Sequence, residues 1–365
     1  MNRLPGLDLL RAIAIIWVML FHSWIVGGLG DRFQPIADYG WMGVDLFFVL
    51  SGYLIGYQLL KPLSQRQPLH FGEFYRRRAY RILPAFLVVL AVYAWFPSWR
   101  EAPGMQPVWQ FLTFTLNLLI DYQHNQAFSH AWSLCVEEQF YLVFPALAWL
   151  LTRRPSLPLT LCVGSVIVAS GMLLRAYAAR HDLDYLENIY YPTYTRLDGL
   201  LAGVTLAAIQ AYRPGAWGFL QRNSNILTLS GLAAVGMAIW LFRDRTFVPS
   251  VYGFPLLSFG LALLVAAGAA RQGWGRWRVP GAGWIAAMSY SLYLSHKLAL
   301  HAVARWLAAH PAVHGGAAFA LYATAITLLG FLLHYGVEKP FLRLRDRRAA
   351  SRVPAAIGRA DVSAG

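Results

Sequence analysis

The sequence has 365 residues, 58% of them hydrophobic and only 13% charged, and Lys plus Arg outnumber Asp plus Glu by 31 to 17, a formal charge of +14. A soluble domain carries about 25% charged residues. This composition therefore argues against a soluble enzyme, against disorder and against a nucleic-acid binder, whose basic surface must face water. It fits a polytopic membrane protein whose Arg residues set its topology. Cys135 and Cys162 form no C-x-x-C and no metal spacing, and two cysteines are too few for a disulfide framework.

A helix crosses the hydrocarbon core with roughly 20 predominantly apolar residues. Ten stretches qualify: 7–28, 40–61, 82–97, 132–152, 158–178, 193–212, 225–243, 250–270, 284–307 and 317–337. The first is too long for the apolar region of a signal peptide and lacks a small-residue cleavage site, so it reads as a retained helix. The stretch 108–120 is too short to cross and reads as a surface-lying or re-entrant helix. With the N-terminus inside, inner segments hold 21 of the 31 basic residues and outer segments hold 5. The positive-inside rule then favours an all-α bundle of about ten transmembrane helices with both termini cytoplasmic. A crossing at 108–120 would put Arg153, Arg154 and the Arg-rich tail outside. The expected division is a transmembrane domain over 1–341 and a basic, disordered cytoplasmic tail over 342–365. No internal repeat is visible.

Ionisable groups inside spans are costly and point to function. Arg11 and His22 are 11 residues apart in the first span, so they share a helix face about 16 Å apart along the axis. A snorkelling Arg and a hydrogen-bonded core His would be the structural alternative. Asp45, in an otherwise apolar second span, could pair with a cation such as His22 and hold its tautomer. Ser51 and Gly52 also suit close helix packing.

Arg78 and Arg81 stand one helical turn apart before the third span. Paired guanidinium groups suit phosphate oxygens, although an inner Arg cluster also serves topology alone. The fourth span opens with His130 and carries Glu137 and Glu138. Adjacent helix positions point about 100° apart, so the two carboxylates have different partners. Arg196 and Asp198 open the sixth span at the outer rim, where an exposed pair is one reading. His296 lies mid-span in the ninth, beside an unexpected Lys297. Glu338 closes the tenth at the inner rim, where it could anchor an inner-loop Arg.

In order along the chain, these segments resemble acyltransferase family 3, the bacterial integral-membrane O-acyltransferases that modify cell-surface sugars. The resemblance runs from Leu7 to Phe341. Its marks are Leu7-Asp8-Leu9-Leu10-Arg11 with His22, Gly43-Val44-Asp45 to Ser51-Gly52, and Arg78-x-x-Arg81 to Pro84. Further on come Trp132-Ser133-Leu134 to Glu137-Glu138-Gln139-Phe140-Tyr141, Arg196-x-Asp198-Gly199, Tyr290-x-x-Tyr293 with His296, and Glu338-x-Pro340-Phe341. The resemblance implies transfer of an acyl group, most often acetyl, from coenzyme A to a sugar hydroxyl. The chain is expected to lack the extra-membrane esterase-like domain that some members append, which leaves any onward transfer to another protein.

The expected enzyme sits in the inner (cytoplasmic) membrane. It uses acyl-coenzyme A as co-substrate, holds no permanent cofactor or metal, and acts on a saccharide or glycolipid. Other cell-envelope polysaccharide enzymes are possible partners. The expected catalytic set is His22 as base or acyl carrier, Arg11, and Glu137 or Asp45 as orienting carboxylate. Arg78 and Arg81 are expected to bind acyl-coenzyme A. His130, Glu138, Arg196, Asp198, His296 and Glu338 are acceptor-side or supporting. The rival reading is a multi-spanning transporter of a small polar or acylated solute, which would show an inverted repeat with broken helices.

Overall fold

Long apolar runs bounded by Pro, Gly and charged clusters become helices throughout the computed structural model, which describes residues 4–26, 33–153, 156–244 and 246–350. The long helices are α1 (Pro5–Phe21), α2 (Met42–Ser64), α3 (Phe71–Trp95), α4 (Trp132–Arg153) and α5 (Leu157–Arg180). They continue as α6 (Asp198–Tyr212), α7 (Ser224–Leu241), α8 (Phe254–Gly268), α9 (Ala282–Ala308) and α10 (Gly315–Leu333). Among the described residues no strand forms, apart from one isolated bridge between Met105 and Ala127.

Among the described residues, eight helical segments are long and apolar enough to cross a membrane. The two remaining expected spans are the 15-residue α6 and the polar-studded α9. The molecule is thus an all-α, multi-pass membrane protein. Its outward faces agree: α5 exposes Leu157, Leu159, Leu161, Val166 and Leu173. Exposed Trp24, Trp95, Trp149, Trp240, Trp284 and Trp306 lie close to helix ends, where amphipathic rings meet the membrane–water boundary.

Helices α2 and α8 are the most enclosed; α2 packs along α6, and α1 packs against α2 and α9. The α2–α6 seam is made by glycine. A Cβ on Gly52 would stand 2.1 Å from the Leu200 carbonyl oxygen, and one on Gly203 would stand 2.2 Å from that of Val49. Only hydrogen fits there, so the two backbones touch.

Several boundaries differ from those expected. Helix α3 begins at Phe71 rather than at 82, so Arg76, Arg77, Arg78 and Arg81 are helical and continuous with the apolar run. Helix α6 begins at Asp198 rather than at 193, because Pro192 starts a 3-10 turn over Thr193–Thr195. The stretch expected to be surface-lying or re-entrant is a single turn, Val108–Leu112, followed by a 3-10 turn at Leu116–Leu118. Phe111, Leu116 and Asn117 are fully buried, so this segment plugs into the bundle without crossing it.

The tail expectation is corrected in part. A π-turn at His334–Glu338 leads into the helix Lys339–Ala350, so residues 342–350 are helical. Arg348 donates to the Tyr80 hydroxyl in the first half of α3, which ties this helix to the bundle. Residues 351–365, and with them Arg352 and Arg359, lie outside the described residues, as do Arg3, Arg32, Arg154 and Arg245.

Candidate active site

Helices α1, α2, α3, α4 and α9 enclose a cavity of about 270 Å³. Arg11 enters it from α1, Arg78 and Arg81 from α3, Ser51 from α2, and Glu137 and Tyr141 from α4. The early start of α3 fixes this geometry, because a helical i, i+3 spacing puts Arg78 and Arg81 side by side. The Arg78 guanidinium stacks 4.9 Å from the Tyr141 ring centre. Tyr141 and Ser51 hydrogen-bond through their hydroxyls, with Glu137 beside them.

Among the described residues, none of Arg11, Arg78 and Arg81 forms an ion pair or hydrogen bond. Three guanidinium groups share this low-dielectric space with a single lining carboxylate, Glu137, so positive charge is in excess there and the guanidinium groups repel one another. An anion entering that space relieves the repulsion.

A second polar cluster adjoins this cavity. Helix α1 ends at Phe21, and His22 opens a 3-10 turn there. His22 Nδ1 lies 3.0 Å from Nε2 of His296, whose own Nδ1 lies 2.7 Å from the Tyr293 carbonyl oxygen. The His130 ring is 5.0 Å from that of His296 and 6.2 Å from that of His22. His130 Nε2 makes a long 3.4 Å contact with the Leu294 carbonyl, and its buried Nδ1 has no partner among the described residues.

Lys297 places Nζ 3.6 Å from Glu101 Oε1 and 3.3 Å from Ser129 Oγ. Tyr293 joins the two regions. Its ring lines the arginine cavity, its hydroxyl donates to the His130 carbonyl at 2.7 Å, and Ser133 Oγ lies 2.6 Å from that hydroxyl.

The partners of several predicted residues need correction. Asp45 does not hold His22. Its Oδ1 takes a hydrogen bond of 2.7 Å from Arg196, whose other nitrogen donates to the Tyr190 carbonyl at 3.0 Å. Gly199 and Gly203 bring α6 so close to α2 that Arg196 fills the space beside Asp45. Nor does Glu137 hydrogen-bond to His22; it faces the arginine cavity instead, and the ring partner of His22 is His296.

Arg196 and Asp198 are not an exposed rim pair. Both are buried, and Asp198 takes two hydrogen bonds, of 2.6 and 3.2 Å, from the fully buried Arg175 of α5. Glu338 does not anchor an inner-loop Arg. Its Oε2 accepts from Ser291 at 2.7 Å and meets His334 Nδ1 at 2.8 Å inside the bundle. The π-turn over His334–Glu338 rotates it inward. Glu138, next to Glu137 on α4, is half-buried and makes no hydrogen bond among the described residues.

Sequence reasoning did not single out Glu101, Arg175 or Gln139 as site or anchoring residues. Gln139 ties the plug segment in place. It donates to the Phe114 carbonyl at 2.6 Å and to Asn117 Oδ1 at 2.9 Å, and accepts from Thr193 at 2.5 Å. A third consecutive polar residue inside the fourth span, after Glu137 and Glu138, was the available signal for Gln139, and Arg175 inside an apolar run was the signal for its pair. Glu101 lies in a polar loop and carried none.

The sequence matches the acyltransferase 3 family, described as an acyltransferase domain, over residues 4–335. It is similar to the O-acetyltransferase OatA of Staphylococcus aureus strain NCTC 8325, with 29% identity over 288 residues, 72% of this chain and 44% of that protein. A protein of strain COL, provisionally named an O-acetyltransferase, is 31% identical over 226 residues, 57% of this chain and 35% of its own length. The chain therefore spans less than half the length of these curated relatives. No solved structure matches it. The matched region takes in both polar clusters and every helix that builds them, and on that match the chain belongs to the acyltransferase 3 family.

Proposed function

We propose that this acyltransferase moves an acyl group, most readily acetyl, from cytoplasmic acyl-coenzyme A to a hydroxyl of a saccharide or glycoconjugate at the inner membrane. The observation that carries the reading is the arginine cavity: three guanidinium groups, none in a salt bridge among the described residues, converge with one carboxylate on a space that ends at Tyr293 and Ser133, beside the histidine cluster. Coenzyme A is a multiply phosphorylated thioester carrier. Guanidinium groups hold phosphate oxygens with paired hydrogen bonds. Names of relatives that specify O-acetyl transfer support the acetyl group and the oxygen acceptor.

In this reading Arg78 and Arg81 bind the donor's phosphates, and Arg11 steadies the donor or the charge that develops on it. His22 acts as general base. It takes the proton of the acceptor hydroxyl while the oxygen bonds to the thioester carbonyl carbon. The carbon–sulfur bond then breaks, and His22 returns the proton to the departing sulfur, so coenzyme A leaves as the thiol. His130, with a buried nitrogen that lacks a partner, receives a hydrogen bond from a further acceptor hydroxyl. Asp45, Arg196 and Asp198 support this machinery by fixing the helices that carry it.

The test is thiol release from acetyl-coenzyme A by the purified protein in detergent, with an envelope-glycan fraction as acceptor. Wild type should release thiol and transfer label to glycan, and His22→Ala should lose at least about a hundred-fold in rate. Arg78→Ala should chiefly raise the apparent KM for the donor. Full activity in His22→Ala would remove the base assignment, and an unchanged KM in Arg78→Ala would return that residue to topology.

A further inference from the structure

The hydrogen-bond chain through α9 fixes more than the position of His22. A carbonyl oxygen only accepts, so the 2.7 Å contact with Tyr293 requires the proton of His296 to sit on Nδ1. Nε2 of that ring is then a lone pair. At 3.0 Å from it, Nδ1 of His22 must supply the hydrogen. His22 is therefore protonated on Nδ1 and bare on Nε2. Free histidine prefers the opposite tautomer, with the proton on Nε2, which would present a donor where a base is needed. His22 is half-buried, and the Val18 backbone carbonyl also lies close to its ring.

We propose that His296 is a positioning residue that sets the tautomer of His22, doing with a neutral ring what a carboxylate does in other acid–base pairs. A carboxylate could also select the Nδ1–H form, but it would bring a negative charge to be balanced in the buried site. Lys297 already places a cation in this cluster, and Glu101 already takes up that charge. A neutral acceptor anchored to a backbone carbonyl adds no further ion.

The proton path balances. His22 Nε2 takes the hydroxyl proton, and the resulting imidazolium keeps its Nδ1–H on His296. That bond becomes charge-assisted and stronger, and Nε2–H then protonates the leaving sulfur. His296 never changes its own protonation, because its Nδ1–H remains on Tyr293.

The inference rests on the acyl-transfer reading for its consequence, but the tautomer can be read without any substrate. The full chain is labelled with ¹⁵N-histidine, and His22 is assigned by the signals lost in His22→Gln. In wild type, His22 should show a protonated Nδ1 and a bare Nε2, with a through-hydrogen-bond coupling from Nδ1 to Nε2 of His296. His296→Leu should shift His22 towards the Nε2–H form and lower kcat by roughly ten- to a hundred-fold, with the acetyl-coenzyme A KM unchanged. His296→Gln, whose carboxamide oxygen can accept the same hydrogen, should restore part of both.

A wild-type His22 protonated on Nε2, or one with no coupling to His296, overturns the proposal even if His296→Leu fails to fold. So does full turnover in a folded His296→Leu. If instead the tautomer is as stated and wild type still releases no thiol, the acyl-transfer reading has failed and the hydrogen-bond chain has not.

Discussion

Arg196 and Asp45 bury opposite charges between α2 and the turn that precedes α6, each almost completely out of solvent. Three aromatic rings close around the guanidinium: Phe254 at 4.3 Å, Tyr190 at 4.5 Å and Trp132 at 5.3 Å. Among the described residues Asp45 Oδ2 has no partner, so Arg196 is the side chain that compensates its charge. Removing one member of a buried pair strands the other charge, which costs about 3–5 kcal/mol. Arg196→Met should therefore lower the melting temperature in detergent sharply. Asp45→Asn strands the Arg196 cation instead, but the carboxamide oxygen can still accept its hydrogen bond and three rings still face the guanidinium, so it should cost less than Arg196→Met. Equal and small losses in the two variants would show that the pair carries little of the fold.

The residue types of this pair were legible in the sequence, because charges inside apolar runs are conspicuous. Their partnership was not, since Asp45 and Arg196 lie 151 positions apart and only the helix packing brings them together. For the same reason Lys297 could be flagged while its partner, Glu101, could not.

At the scale of elements, apolar run length and breakers located the helices well, and the Gly52 reading as a close-packing position agrees with the α2–α6 contact. What run length could not supply was which helix faces which. It also could not show that an Arg-rich stretch such as 76–81 continues an apolar helix, since hydropathy falls there while helix propensity does not.

The α2–α6 seam gives a direct test. A methyl group at Gly203 would come 2.2 Å from the Val49 oxygen and 2.5 Å from the Tyr53 nitrogen, both of them backbone. Backbone cannot rotate away as a side chain can, so the helices must part, at a cost of about 1–3 kcal/mol. That separation would also pull Arg196 from Asp45. Gly236 on α7 has open space where its Cβ would go. Gly203→Ala should thus lower thermal stability and activity together. Gly236→Ala should be neutral or slightly stabilising, because it removes conformational freedom from the unfolded chain. Equal effects at the two sites would mean that backbone contact at the seam is unimportant.

For the molecule as a whole, the arginine cavity and the histidine cluster serve different compartments only if the chain is inserted one way round. The charge asymmetry argues for that orientation. Lys and Arg exceed Asp and Glu by 14, and the basic residues are concentrated in segments that alternate with ones holding few Lys or Arg. Gln65 lies just beyond α2, and His124 lies in the plug segment between α3 and α4, so the two positions are separated by one crossing of α3. Both are exposed.

Of the two native cysteines, Cys135 is buried and Cys162 exposed, so a Cys162→Ser background leaves no accessible thiol. Within that background, a membrane-impermeant maleimide applied to spheroplasts should label His124→Cys at once. Gln65→Cys should react only after lysis. The reverse pattern would put Arg78 and Arg81 on the side without coenzyme A, and the donor reading of their cavity would fall with it. Labelling of both before lysis would show that α3 does not cross, and that would undo the topology on which the two-compartment reaction depends.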